Sequence, residues 1–238
     1  MRDPQGSVNS EDTFESFLQV ESFRTGLYSI YRSSNYNLRL LSDYQVDIVN
    51  AVVGFGNRNG AMYGWQENLA SDSGVESFYA NQYAMLSNLN NFINNIDFVP
   101  TQNANEEALL KQYKGEAYLM RATTIHNLVR YFAKAYDPAT AESDLGVAIP
   151  LEYDPYAKPA RKNLAQTYAQ IKADLDQALD LLPDNSVAMA DYVTKDFAYG
   201  VLARVSLEMH DFAGAVAAAD EIIPKYPLVT TEEALLDQ

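Results

Sequence analysis

The chain has no cysteine, only two histidines and one tryptophan, and no run of 18 or more apolar residues. Each scarcity excludes something. Without cysteine there is no disulfide framework and no thiolate metal site, and the compartment stays undecided, because exported and cytoplasmic proteins alike can do without disulfides. His126 and His210 stand far apart with no second ligand at helical spacing, so zinc chemistry has no ligand set and both read as packed or capping residues. No segment is long and apolar enough for a membrane span, and Met1 to Ser10 is polar and does not read as a signal sequence. Basic residues are also few. Seventeen Lys and Arg face 32 Asp and Glu, a net charge of −15 with no basic cluster. Such a surface repels a phosphate backbone, which argues against nucleic acid as a partner.

What is present is helical periodicity. Leu110, Tyr113, Ala117, Met120, Thr124, Leu128 and Tyr131 recur at steps of three and four, fitting a 3.6-residue period. The spacing predicts about six or seven helices in all. Ser10 or Asp12 can cap the first, running to about Tyr31 with Phe14, Phe17, Leu18, Thr25 and Tyr28 on one face. A second covers about Gly74 to Ile96 through Tyr79, Tyr83, Leu86, Asn90 and Ile93. Pro100 ends the next connection, and Asn105 or Thr101 opens the long helix containing Lys114 to Arg130. A Pro-punctuated segment with Pro150, Pro155 and Pro159 follows, then a helix over Asn163 to Leu182. Residues 194–227 read as a tetratricopeptide-like unit: helix, a turn at His210-Asp211-Phe212, Ala215 at the packing position, a second helix and then Pro227. Residues 33–74 are the exception. Between Gly54 and Gly74 the chain is rich in Gly, Asn and Ser, and it reads as an irregular loop where function is expected.

Several candidate chemistries fail on spacing. Gly54-Phe-Gly-Asn-Arg-Asn-Gly60 has spaced glycines but lacks the Lys-Ser/Thr of a phosphate-binding loop and the helix and acidic residue of a dinucleotide fold. Asp174, Asp176 and Asp180 lack the loop spacing of a calcium site and read as a solvated helix face. Glu116 and Arg121, five apart on one helix, cannot face each other and read as members of a buried structural network between helices. Nowhere is there a nucleophile elbow, a metal cluster or a carboxylate pair set by spacing, so the sequence points to no enzyme and no cofactor. Trp65 stands apart. It lies in the Gly/Asn-rich loop beside Tyr63, Gln66 and Asn68, and flat aromatic rings with amides around them are a recipe for stacking and hydrogen-bonding a sugar; packing of the loop onto the helices is the competing role.

Four ordered motifs carry a family resemblance over about Tyr79 to Tyr226. They are Gly115-Glu116-Ala117 with Arg121-Ala122 and Asn127-Leu128-Val129-Arg130; Gly146, Ile149-Pro150-Leu151 and Asp154-Pro155; Thr167-Tyr168, Ile171, Asp174-Leu175, Ala178 and Leu182-Pro183; and Thr194-Lys195, Ala198, Leu202-Ala203-Arg204, Leu207 and Asp211-Phe212. Together they resemble the SusD/RagB family of surface nutrient-binding lipoproteins. Met120, Gln166 and Tyr79 depart from the residues usual there. The resemblance implies an all-α, tetratricopeptide-like helical-repeat scaffold spanning 1–238, with the family's C-terminal half expected to be absent. It implies a non-catalytic protein that binds an oligosaccharide or other nutrient at the outer surface of a Gram-negative cell. The partner it implies is a SusC-like TonB-dependent outer-membrane channel, and contact with the membrane would come only through a lipid anchor missing from this chain. For the site, it points to Trp65 and Asn68, with Tyr63, Asn57 and Arg58 as neighbours, and it assigns Glu116, Arg121 and Arg204 to structure. The alternative is a helical-repeat module that binds a peptide or protein segment and no small molecule.

Overall fold

A computed structural model describes residues 14–228, apart from 47, 51, 53, 55, 57–59, 66–72, 155 and 185–190. The protein is all-α. Among the described residues the α-helices are α1 (Phe17–Gln45), α2 (Gly60–Tyr63), α3 (Ser73–Asn95), α4 (Ala104–Phe132), α5 (Leu164–Leu181), α6 (Lys195–Glu208) and α7 (Phe212–Asp220), with a short ribbon of β1 (Leu145–Ala148) and β2 (Arg161–Asn163) between α4 and α5. The backbone divides into two compact units, one of residues 1–110 with 150–159, the other of 111–149 with 160–238.

In the first unit α1 packs on α3. Ser16 begins α1, its hydroxyl accepting the Gln19 N–H, while Ser10 and Asp12, the caps expected from sequence, lie outside the described residues. The helix runs on to Gln45 instead of ending near Tyr31. Its sequence explains this, since no proline or glycine follows Gly26 before Gly54 to stop propagation. The irregular stretch is therefore shorter than 33–74, and α2 interrupts what remains. Phe14, Phe23 and Phe92 form the aromatic heart of the α1–α3 contact, with Phe23 stacked on Phe92 at 5.6 Å. Val20, Leu27, Met85, Leu86 and Leu89 fill the rest.

The second unit is organised by α4 from Lys111 onward; the start of this helix belongs to the first. Asn103, and not Asn105 or Thr101, caps this helix: its Oδ1 accepts the N–H groups of Asn105 and Glu106, and Glu106 returns a bond to the Gln102 N–H. From Gly115 to Val129 every residue but Tyr118 is buried, so the amphipathic face read from sequence understates it. A helix buried all round is normally apolar all round. Here Glu116, Arg121, Thr123, Thr124, His126 and Asn127 are inside too, and each buried polar group needs a partner. Gly115 lets the helices close up: a Cβ there would sit 2.9 Å from Leu181 Cβ at the end of α5.

The Pro-punctuated connection is more ordered than its sequence suggests. β1 and β2 pair antiparallel with Leu145 opposite Asn163 and Ala148 opposite Arg161, with a register irregularity between. Arg161 pins this ribbon, donating Nε to the Gly146 carbonyl at 2.6 Å and Nη2 to the Phe132 carbonyl at 2.9 Å, near the end of α4. Asn163 then starts α5 with a capping box shared with Gln166, which satisfies N–H groups the first turn leaves open. Thr194 caps α6 and Asp211 caps α7. These last two helices pack as a hairpin whose turn places His210 at φ 63.

Candidate functional site

Trp65 follows α2 directly. The Gly64 N–H closes the helical turn on the Gly60 carbonyl at 2.8 Å, and the next residue, Trp65, takes φ 53. This left-handed position just past a helix usually goes to glycine, because a Cβ there crowds the following carbonyl at a cost of roughly 1–2 kcal/mol. The largest apolar side chain in the chain occupies it, and it is 75% exposed. Neither backbone preference nor hydrophobic burial accounts for that choice, and backbone strain of this kind collects at functional sites. Tyr63 is half-buried at the end of α2, which packs on α1. Asn57, Arg58 and Asn68 lie outside the described residues. Val46, Ile48 and Val52, in the segment leading to α2, are also exposed, so Trp65 is the aromatic member of a stretch that turns several apolar side chains outward. Such a surface can stack the C–H face of a ring.

The residues assigned to structure lie in the second unit. Arg121, 5% exposed, donates Nε and Nη2 to the two carboxylate oxygens of Asp174 at 2.8 and 2.6 Å, a fork-on-carboxylate pair joining α4 to α5. Gln170 adds a third donor to Asp174 at 2.9 Å. Asp174 therefore corrects the reading of a solvated face. It is 1% exposed, whereas Asp176 and Asp180 are exposed. The signal was in its phase, because Asp174 falls on the same helical stripe as Ile171, Leu175 and Ala178. Glu116 is buried on α4, with its Oε1 accepting from Gln112 at 3.0 Å. Arg204 is exposed on α6.

A second polar knot escaped the sequence. Glu208, the last residue of α6, takes His126 Nε2 at 2.7 Å and the Tyr168 hydroxyl at 3.0 Å, both on Oε2, with Arg130 Nε at 3.4 Å from Oε1. It thereby ties α4, α5 and α6 through one carboxylate. Burial, the largest single influence, pushes the Glu208 carboxyl up, but the His126 and Tyr168 hydrogen bonds and the Arg130 charge together hold it below the usual carboxylate range. Tyr168 moves the other way: burial first, then the Glu208 charge, raises its hydroxyl well above the ordinary phenol value. With His126 and Tyr168 bonded to it and the Arg130 charge beside it, this carboxylate joins three helices, and the arrangement is one of support. Among the described residues no group of His, Asp and Glu could hold a metal ion, and no helix is long and apolar enough to cross a membrane.

These features describe a helical-repeat scaffold with a strained, solvent-facing aromatic on its first unit. The chain belongs to the SusD-like family, whose model, described as "Starch-binding associating with outer membrane", matches residues 3–207. Solved structures agree on the fold. A SusD superfamily protein from Bacteroides thetaiotaomicron is 26% identical with a TM-score of 0.75, over 92% of this chain and 49% of that one. A SusD superfamily protein from Bacteroides vulgatus is 20% identical with a TM-score of 0.75, over 94% and 51%. A SusD-like carbohydrate binding protein from the same organism is 18% identical with a TM-score of 0.71, over 93% and 47%. The chain thus spans about half the length of these relatives. No curated protein matches it by sequence.

Proposed function

We propose that this chain is the helical portion of a non-catalytic glycan receptor at the outer membrane. It would bind an oligosaccharide by stacking a sugar ring on Trp65, with Asn68, Tyr63, Asn57 and Arg58 supplying polar contacts, and pass it to a SusC-like TonB-dependent channel. A lipid anchor belonging to the longer protein would hold it at the cell surface. The observation that carries this reading is Trp65 itself, exposed and in a backbone conformation that glycine would fill more cheaply. Family membership supports the class of ligand. The strong negative charge favours neutral sugars over uronic-acid polymers, which it would repel.

Calorimetric titration with a panel of soluble neutral oligosaccharides tests it. Binding that disappears in Trp65→Ala, with no reducing ends released from any polysaccharide, is the expected result. Binding unchanged in Trp65→Ala removes the platform, and release of reducing ends removes the non-catalytic assignment. One observation favours a second reading, a peptide-binding helical module: Leu207, Phe212 and Val216 leave apolar surface exposed on the α6–α7 hairpin. Silence with every sugar, together with peptide binding lost in Phe212→Ala, would establish that reading instead.

A further inference from the structure

Residues 150–159 group with α1, α2 and α3 in the first compact unit. The loop is tied to α3 at its base and makes a local turn in its middle. At the base, Asn90, buried on α3, donates Nδ2 to the Pro150 carbonyl at 2.9 Å. In the middle, Asp154 accepts the Tyr156 N–H on its side chain at 2.8 Å and the Ala157 N–H on its carbonyl at 3.2 Å. Pro150 and Pro159 bracket the segment, each with φ fixed by its ring. The side chains this loop displays are the reverse of what folding would select. Tyr156 is 89% exposed, and Leu151 and Tyr153 keep more than a third of their surface in water.

A tyrosine in a local turn has less to lose on binding than one in an open loop. It has two side-chain torsions, a large flat face and a hydroxyl, so it offers contact area at low entropic cost. The helix beneath extends the same theme. Tyr79, Tyr83 and Asn90 fall on one face of α3 by their spacing of four and seven, with roughly 10 Å of helix axis between Tyr83 and the loop's anchor. Tyr79 and Tyr83 pair their rings at 4.7 Å, and Tyr79 is partly exposed. Glu152 and Asp154 flank the loop tyrosines in sequence, which turns away anionic sugars and leaves hydroxyl-rich neutral ones as the matching chemistry.

We infer that Tyr153 and Tyr156 form a second stacking subsite for a neutral oligosaccharide, distinct from Trp65, so that the chain contacts several sugar rings at once. The inference rests on the glycan reading proposed above. It is tested by titrating ladders of neutral gluco-, manno-, xylo- and galacto-oligosaccharides, from two to about seven units, into the wild type, Tyr156→Phe, Tyr153→Ala/Tyr156→Ala and Trp65→Ala, with circular dichroism confirming that each is folded. The double alanine variant is expected to weaken the longest ligands about tenfold while leaving the disaccharide unchanged, and Tyr156→Phe to keep most of the affinity because the stacking face remains. Wild-type affinity at every length in the double variant overturns the inference, as does an equal loss at every length or the absence of any binding by the wild type. If Trp65→Ala abolishes binding while the double variant does not alter it, the loop subsite falls and the Trp65 reading stands; if the double variant loses only long ligands while Trp65→Ala changes nothing, the Trp65 reading falls and the loop subsite stands.

Discussion

Removing Asp174 should cost far more than removing an exposed carboxylate. In Asp174→Ala the Arg121 guanidinium stays where it is, 5% exposed between α4 and α5, and loses two charge-assisted hydrogen bonds of 2.8 and 2.6 Å at once. Bonds to charged groups contribute about 1.5–3 kcal/mol each, so the two give about 3–6 kcal/mol. Breaking one side of a buried ion pair costs about 3–5 kcal/mol by comparison with other proteins. The two routes meet near 4 kcal/mol, a large share of the roughly 5–15 kcal/mol that holds a domain folded. For a chain of this size that corresponds to a melting temperature lower by about 8–16 °C. The contrast that isolates the mechanism is Arg121→Met/Asp174→Leu, which removes both charges and keeps apolar volume; it should recover most of the loss. Urea unfolding of the two variants beside the wild type reads both quantities. A loss below about 1 kcal/mol in Asp174→Ala would refute the reasoning, since a surface pair behaves that way and a buried one does not. So would a double variant no more stable than the single one.

Three further outcomes follow from the same structure. Glu208→Gln should flatten the acid side of the stability profile: the folded carboxyl is held below its ordinary value, so its contribution is present above the unfolded pKa and fades as pH falls through the folded one. Urea midpoints measured between pH 6 and pH 3 that decline equally in variant and wild type would contradict this. Gly146→Ala should destabilise by about 1–3 kcal/mol, because the new Cβ would collide with the Thr167 hydroxyl and come within 2.7 Å of the Asn163 carbonyl; an unchanged thermal midpoint would show that the ribbon yields. Trp65→Gly should raise stability by up to about 1 kcal/mol by relieving the left-handed backbone while losing sugar binding, and a variant that melts lower than the wild type would show that Trp65 holds the fold.

The helical framework was legible because its periodicity is strong. The long helix, the helix starts near Asn163 and Thr194, and the turn before Phe212 all stand in the sequence near where the structure has them. Boundaries were less so: α1 passes Tyr31 because nothing in Arg32 to Gln45 breaks a helix, and the composition of the later loop drew its limit too early. The short ribbon of β1 and β2 was hidden because Arg161 builds it through backbone carbonyls distant in sequence, which leave no pattern. Buried polar pairs were half legible. Arg121 was suspect as a charge within a packed helix, but its partner Asp174 was obscured by two exposed aspartates beside it. Glu208 carried no signal, because only the packing of three helices brings His126 and Tyr168 to it. For the site, Trp65 stood out by its setting, while Tyr156 did not, since exposure on a loop is a property of the fold and not of a motif.

Gly115 sets a mechanical limit on the second unit. With no side chain of its own between α4 and the end of α5, the two backbones already stand where a single methyl would collide with Leu181, and nothing remains there to compress. At that one point there is no slack for sliding, so Gly115 and the end of α5 should move together. Ligand capture ought to leave this junction unchanged, and that makes it a natural fixed point for measuring whatever does move.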